Sequence, residues 1–145
     1  MFKNILVPTD GDAGSKRAAM FAVELARRFD AQITFLHVMT ETADTVAIVE
    51  LLEPDPKELL AQAQTRAARM LAPLQKLATE ANVRCRQESA PDDDPAKAIL
   101  ATARKAKCDL IVMASHKRRG LARLVLGSTT QEVLRGVSLP VLVVR

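Results

Sequence analysis

The feature that most constrains the fold of this chain is a continuous apolar segment near its carboxyl end. Residues 110–114 read Leu-Ile-Val-Met-Ala, and a basic stretch at 115–120 follows them before a helix start at Gly127, Ser128 and Thr129. An apolar run of this length, followed by polar turn residues and then a helical pattern, predicts a strand buried on both faces within a parallel sheet. Such sheets hold ligands beyond the carboxyl ends of their strands, so we expect the functional residues there.

Length and composition favour one domain over residues 1–145, because 145 residues with 48% hydrophobic side chains are enough for one core. The apolar run at the amino end is too short for a secretory signal, and nowhere do about 18 apolar residues follow one another. We therefore expect a cytoplasmic protein without a membrane segment. Cys85 and Cys108 are far apart and belong to no metal-binding pattern, which predicts buried or inert thiols.

The positive charge of the chain raises the question of nucleic acid. A formal net charge of +4 would attract phosphates of any sequence. However, the chain has no Trp or Tyr, and its four phenylalanines fall on predicted core positions, which leaves no platform for stacking bases: Phe2, Phe21, Phe29 and Phe35. We expect a small anionic ligand and no nucleic-acid partner.

The periodicity of apolar residues predicts five strands alternating with four helices. The strands are expected at residues 2–7, 32–38, 83–89, 110–114 and Val141–Val144, and the charged third strand suits a sheet edge. The helices are expected from a Ser15 cap to Phe29, over residues 59–81 with Pro73 as a kink, after Asp94 with Pro95 in first position, and from Gly127. Residues 40–53 have no clean period and are interpreted as a connection. The alternation predicts an open α/β domain with helices on both faces of a parallel sheet.

An acidic run at residues 92–94 allows two interpretations. Three consecutive aspartates could bind a metal ion, yet carboxylates just before a helix also cap its N–H groups and favour its dipole. We favour capping.

The candidate site follows from the expected sheet. If the first and fourth strands are neighbours, their carboxyl ends face one another across a crevice and bring together Pro8, Thr9, Asp10, Ala114, Ser115 and His116. A helix beginning at Gly127 offers free N–H groups to an anion, for which phosphate is the natural candidate. Asp10 could accept hydrogen bonds from sugar hydroxyls or fix its own turn.

Five segments together resemble the universal stress protein family, in its small single-domain form, over essentially the full length. They are residues 5–11, His37 with Val38, residues 109–116, Gly127 with Ser128, and residues 140–144. The resemblance implies a five-stranded parallel sheet in the order 3-2-1-4-5. It also implies a homodimer in which Val141–Val144 pairs antiparallel with the same strand of a second copy. In one branch of the family it implies binding of ATP, which we expect together with Mg²⁺.

The resemblance also implies roles for individual residues. Val38 and Met113 would flank the adenine, Asp10 would meet the ribose, and the helix start at Gly127 would hold the phosphates. The complete set of candidate nucleotide-binding residues is Pro8, Thr9, Asp10, Val38, Met113, Ser115, His116, Lys117, Gly127, Ser128 and Thr129. The sequence shows neither a Gly-x4-Gly-Lys-Ser/Thr loop nor a Ser-His-Asp grouping, so we expect at most slow ATP hydrolysis.

The chain departs from the glycine pattern of the ATP-binding branch, Gly-x-x-Gly-x9-Gly-Ser/Thr. Laid on this sequence, the pattern falls on Ala114, Lys117, Gly127 and Ser128. Lys117 would cost about 1 kcal/mol if the loop needs a positive φ there, and it could block the phosphates. Equally, Lys117 and the nearby arginines would bring cations to them. Two hypotheses remain: adenine-nucleotide binding between strands 1 and 4, or a stress protein that binds no nucleotide and acts through protein–protein interaction.

Overall fold

The computed structural model describes residues 1–39, 55–91, 94–115 and 126–145, and within them the predicted strands and helices alternate along the chain. In chain order they are β1 (Asn4–Thr9), α1 (Ala13–Phe29), β2 (Gln32–Met39), α2 (Pro56–Glu80), β3 (Cys85–Pro91), α3 (Pro95–Lys105), β4 (Leu110–Ala114), α4 (Ser128–Gly136) and β5 (Val141–Val144). The strands form one parallel sheet in the order β3-β2-β1-β4-β5. The predicted sheet order is confirmed. The connection predicted over residues 40–53 lies outside the described residues.

Helices cover both faces of the sheet, as expected for a doubly wound fold. On one face, α1 and α2 bury small and aliphatic residues against the sheet, among them Ala22 of α1 and Leu71 of α2. On the other face, α3 and α4 contribute Ile99 and Val133 to a second cluster. The central strands lie between these layers, and residues 5, 6, 7, 111 and 112 are fully buried. This burial explains why residues 5–7 of β1 and all of β4 are continuously apolar.

The first strand extends further than the sequence predicted. We expected it to end before Pro8, but β1 continues to Thr9 and pairs with β2 up to Thr9 opposite His37. Its registered pairing with β4 is limited to Ile5 and Leu6. Proline is tolerated in this central strand because its missing N–H falls where the ladder to β4 has already ended.

Aspartates begin three of the helices in the described part of the chain. Asp12, Asp55 and Asp94 each accept a hydrogen bond from a first-turn N–H of α1, α2 and α3, respectively. The capping interpretation of the acidic run is thus confirmed at Asp94, while residues 92 and 93 lie outside the described part. The prediction that Ser15 caps α1 is wrong, because Asp12 is the cap and Ser15 lies three residues inside the boundary.

The longest helix, α2, runs without interruption through Pro73. Pro73 is exposed, so the ring and the carbonyl that loses its hydrogen-bond partner face water rather than the core. Over the described residues, no helix combines the length and the apolar character that crossing a lipid bilayer would require.

The sequence correctly predicted the burial of only some of the aromatic residues. Phe35 is fully buried, and Phe2 packs edge-to-face on Phe29 with ring centroids 5.5 Å apart. The expectation that Phe21 faces the core is wrong, since it is 49% exposed on α1, and Phe29 is itself 36% exposed. The buried face of α1 consists mostly of alanines, which are only weakly apolar. Helical spacing alone therefore does not show where that face ends and the exposed flank with Phe21 begins.

The two cysteines are free thiols, and both lie in surroundings that disfavour the thiolate. Burial raises the pKa of Cys108 to about 11, and partial burial raises the pKa of Cys85. Since the thiolate is the reactive form, both side chains are expected to be slow nucleophiles. This agrees with the prediction of inert thiols, although Cys85 is only half-buried.

Candidate functional site

A cleft opens where β1 and β4 separate. The carbonyl of Asn4 accepts a hydrogen bond from the N–H of Asp109, while the carbonyl of Lys3 accepts one from Gln32 on the opposite side. In a strand, the backbone groups of alternate residues point to the same neighbouring strand. The N–H and C=O groups of the even-numbered residues of β1 therefore point to β4. Pro8 is one of these residues, and it has no N–H to offer. The sheet therefore divides at Pro8, at the carboxyl ends of its two central strands.

This β1–β4 cleft has a volume of about 220 Å³. Its walls come from β1 and the turn after it, β2, α1, α3, β4 and the first turn of α4. The residues that line it are Pro8, Thr9, Asp10, Ser15, Val38, Pro95, Ile99, Met113, Ala114, Thr129 and Thr130. Val38, Ile99 and Met113 form an apolar side, and Thr9, Ser15, Thr129 and Thr130 contribute hydroxyls. Among the described lining residues, Asp10 has the single ionisable side chain.

Hydrogen bonds fix the position of Asp10 at the rim of the cleft. Its Oδ1 accepts from the hydroxyl of Ser15 at 2.7 Å and from the backbone N–H of Asp12 at 3.0 Å. The preceding residue, Thr9, accepts the N–H of Gly11 on its Oγ1 at 3.1 Å, so the turn is closed on both sides of Asp10. The sequence allows Asp10 either to fix its own turn or to meet a ligand. It does fix the turn, and its side chain is also exposed beside the cleft.

Gly11 gives this turn its shape. Its φ of 84° lies in the region that residues with a Cβ avoid, and a Cβ placed there would lie 3.0 Å from both Cγ and Sδ of Met70. The turn that carries Asp10 is thus packed against Met70 of α2, which lies far from the turn in sequence.

The first turn of α4 contributes Thr129 and Thr130 to the wall of the cleft. Gly127 is the N-cap of α4, and it has no side chain with which to accept a hydrogen bond from the first-turn N–H groups. The other three helices of the described chain have aspartate at this position, so α4 differs in presenting these donors without a carboxylate. Thr130 is buried, and its hydroxyl lies 3.5 Å from the carbonyl of Ala114, which ties the helix start to the end of β4. Free N–H groups and the positive end of the helix dipole are suited to an anion.

The cleft brings together most, but not all, of the residues that the sequence suggested. Six of them line it: Pro8, Thr9, Asp10, Val38, Met113 and Thr129. Ser115 is buried behind the cleft, where its N–H donates to the carbonyl of Val144 at 2.9 Å. Gly127 and Ser128 begin α4 at the edge of the cleft without lining it. His116 and Lys117 lie outside the described residues.

Five lining residues were missing from the sequence-based set: Ser15, Pro95, Ile99, Ala114 and Thr130. Pro95 and Ile99 are four residues apart on α3, a spacing that places them on one helix face, but nothing in the sequence showed that this face meets the cleft. Ala114, at a glycine position of the family pattern, is 7% exposed and in the cleft wall. Gly14 of α1 faces the methyl group of Ala114. Even a Cβ added at Gly14 would lie 3.5 Å from that methyl group, which is an ordinary contact distance, so Ala114 is accommodated without crowding.

Comparison with known proteins places this chain in a family. The family model described as the universal stress protein family matches residues 1–145. A universal stress protein of Methanocaldococcus jannaschii is 34% identical over 146 residues, which cover 100% of this chain and 83% of that protein. The universal stress protein YxiE of Bacillus subtilis is 32% identical over 149 residues and is covered completely, as is this chain.

Solved structures share the fold. A protein of the same family from Burkholderia pseudomallei superposes with a TM-score of 0.74 at 26% identity, over 98% of this chain and 95% of the other. A universal stress protein in complex with cAMP gives 0.73 at 20% identity, over 99% and 97% of the two chains. One from Archaeoglobus fulgidus in complex with dAMP gives 0.69 at 16% identity, over 99% and 98%. These structures agree in fold, and the full-length family match with the relatives at 34% and 32% identity shows that the chain belongs to the universal stress protein family.

Proposed function

We propose that the chain is a cytoplasmic, homodimeric stress-response protein that binds ATP or a related adenine nucleotide in the β1–β4 cleft. The observation that carries the proposal is the composition of the cleft itself. An apolar side formed by Val38, Ile99 and Met113 suits a flat base, and Asp10 beside it suits sugar hydroxyls. The start of α4, where the N-cap is a glycine, supplies N–H donors for a phosphate.

The relatives agree with this choice of ligand. Two proteins of the same fold are complexes with cAMP and dAMP, so the fold can hold an adenine nucleotide. At 20% and 16% identity they bear on the fold alone, and the proposal for this chain therefore depends on its own cleft. The cytoplasmic location is supported by the two free thiols, which are typical of a reducing compartment.

Calorimetry with adenosine, AMP and ATP, each with and without Mg²⁺, tests the proposal. We expect binding of at least one of them, and a further gain for ATP if the basic segment that begins at Lys117 meets the phosphates. Asp10→Ala should weaken binding by about tenfold, since a hydrogen bond to a charged group is lost. Asp55→Ala is the matched control, because Asp55 is also an exposed carboxylate at a helix start and does not line the cleft. No heat and no rise in thermal stability at millimolar ligand would refute nucleotide binding.

A second candidate is a protein that binds no nucleotide and acts through protein–protein interaction. The feature that favours it is Lys117, which replaces a motif glycine and lies outside the described residues. Lys117→Gly separates the two candidates. Nucleotide binding that appears only in this variant would mean that the lysine closes the site, whereas binding that is lost in it would make Lys117 a phosphate ligand.

The homodimer is proposed through β5, which forms one edge of the sheet. The carbonyls of Pro140 and Val144 accept hydrogen bonds from β4, so by alternation the backbone groups of Val141 and Val143 point to the open edge. All four residues of β5 are apolar and only half-buried. An apolar edge strand of this kind favours self-complementary antiparallel pairing with a second copy.

Val143→Pro tests the dimer. It removes an outward N–H without removing a hydrogen bond to β4, and Val143→Ala, which keeps that N–H, is the control. Light scattering at micromolar concentration should show a dimer for the native chain and the alanine variant and a monomer for the proline variant. A native chain that remains monomeric would disprove the dimer.

A further inference from the structure

Ser15 is a buried side chain at the proposed site whose hydroxyl is not needed for the helix that contains it. It is the third residue of α1 and is 4% exposed. Its backbone N–H donates to Oδ1 of the N-cap Asp12 at 2.6 Å, which already satisfies the cap. In a capping box the third residue would return its own side chain to the N-cap N–H. Here the N–H of Asp12 donates instead to Asp10 Oδ1 at 3.0 Å, and the Ser15 hydroxyl bonds to Asp10 rather than to Asp12.

The hydroxyl of Ser15 holds Asp10 from two directions. It donates to Oδ1 of Asp10 at 2.7 Å and lies 3.4 Å from the backbone N–H of Asp10, from which it accepts. Side chain and backbone of Asp10 are thus joined to one buried atom on a rigid helix. A carboxylate with a fixed rotamer binds a ligand with less loss of side-chain entropy than one that must be ordered on binding.

We propose that Ser15 is a positioning residue that fixes the Asp10 carboxylate at the rim of the cleft and thereby sets the selectivity for a ligand with free sugar hydroxyls. The inference rests on the proposed function, because it assigns Asp10 to the ribose. Ser15 acts through Asp10 rather than through a contact with the base or the phosphates. Removing the Ser15 hydroxyl therefore weakens the binding of ligands that contact Asp10 and leaves the binding of other ligands unchanged.

The test compares adenosine with 2′,3′-dideoxyadenosine, which lacks the 2′ and 3′ hydroxyls of the ribose. Ser15→Ala should weaken the affinity for adenosine by about tenfold and change the affinity for dideoxyadenosine by less than about twofold. In an Asp10→Ala background, Ser15→Ala should have no further effect on adenosine. Thr34→Val is the matched control, since it also removes a buried hydroxyl, one that donates to Asn4 Oδ1 at 3.1 Å and does not line the cleft.

Equal losses for the two nucleosides would overturn the inference, as would an equal loss in Thr34→Val, since either result would mean a general effect on folding. The χ1 rotamer of Asp10, measured by three-bond couplings, gives a readout that needs no ligand. We expect a single rotamer in the native chain and averaging in Ser15→Ala. If the native chain binds no nucleoside, the proposed function fails, and unchanged couplings in the variant would independently refute the positioning role.

Discussion

Gly11→Ala should destabilise the turn that carries Asp10, and its effect can be worked out from two features. The φ of 84° costs a residue with a Cβ about 1–2 kcal/mol, of which about 0.4–1 kcal/mol is regained because the unfolded chain becomes less flexible. The new Cβ would also lie 3.0 Å from Met70 Cγ and Sδ, so the methionine must move. The flexible end of Met70 limits this second cost, and we expect a net loss of about 1–2 kcal/mol in the free energy of unfolding.

Urea denaturation followed by circular dichroism, at one fixed protein concentration, measures this loss. For a chain of this size the midpoint should fall by roughly 0.5–1 M without a change in slope. Gly14→Ala is the matched control, three residues away and without a positive φ. A Cβ there would lie 3.3 Å from Asp12 Oδ1, which offsets part of the usual gain from alanine in a helix. We expect no change or a gain of up to about 1 kcal/mol.

A double-mutant cycle separates the two causes. In a Met70→Ala background the crowding is absent, so Gly11→Ala should cost only the backbone component. If Gly11→Ala leaves stability unchanged, or if Gly14→Ala costs as much as Gly11→Ala does, then the positive φ is not what requires glycine in this turn.

Three further predictions concern the rest of the fold. Pro73→Ala should raise the free energy of unfolding by about 1–2 kcal/mol, because α2 regains an internal hydrogen bond; a lower urea midpoint would contradict this. Asp94→Ala should cost about 1 kcal/mol by the same measurement, since the carboxylate caps α3 through the N–H of Lys97 at 3.1 Å, and an unchanged midpoint would rule that out. Burial raises the pKa of Cys108 from 9.0 to about 11, so the unfolded thiol ionises first and stability should fall as pH rises from 9 to 11. That fall should be smaller in Cys108→Ala, and an identical pH profile in the variant would count against the assignment.

The sequence predicted the elements whose signals are local. Residues 110–114 are apolar without interruption because β4 is covered on both faces, and the structure has the strand at the same residues. Asp94 followed by Pro95 predicted the start of α3 correctly, since capping and the fixed φ of proline depend only on the chain itself. The strand order, by contrast, came from the family resemblance and not from periodicity.

The errors and omissions share a different cause, which is that contacts between distant residues decide them. Pro8 reads as a strand terminator, but it is tolerated in β1 because the sheet divides at that point. Ser15 reads as a helix cap because serine is common there, yet Asp12 does the capping and the hydroxyl turns to Asp10. Ile99 could be predicted as buried, but not as part of the cleft, because its position depends on how α3 packs on the sheet.

The central claim is that the β1–β4 cleft binds an adenine nucleotide, and an amide spectrum of the ¹⁵N-labelled protein titrated with ATP, AMP or adenosine tests it most directly. The account predicts saturable shifts concentrated at Thr9, Asp10, Val38, Met113 and Thr129, which line the cleft. Signals near β3, on the far edge of the sheet, should not move. A spectrum unchanged at millimolar ligand, or shifts that saturate elsewhere on the protein, would contradict the account.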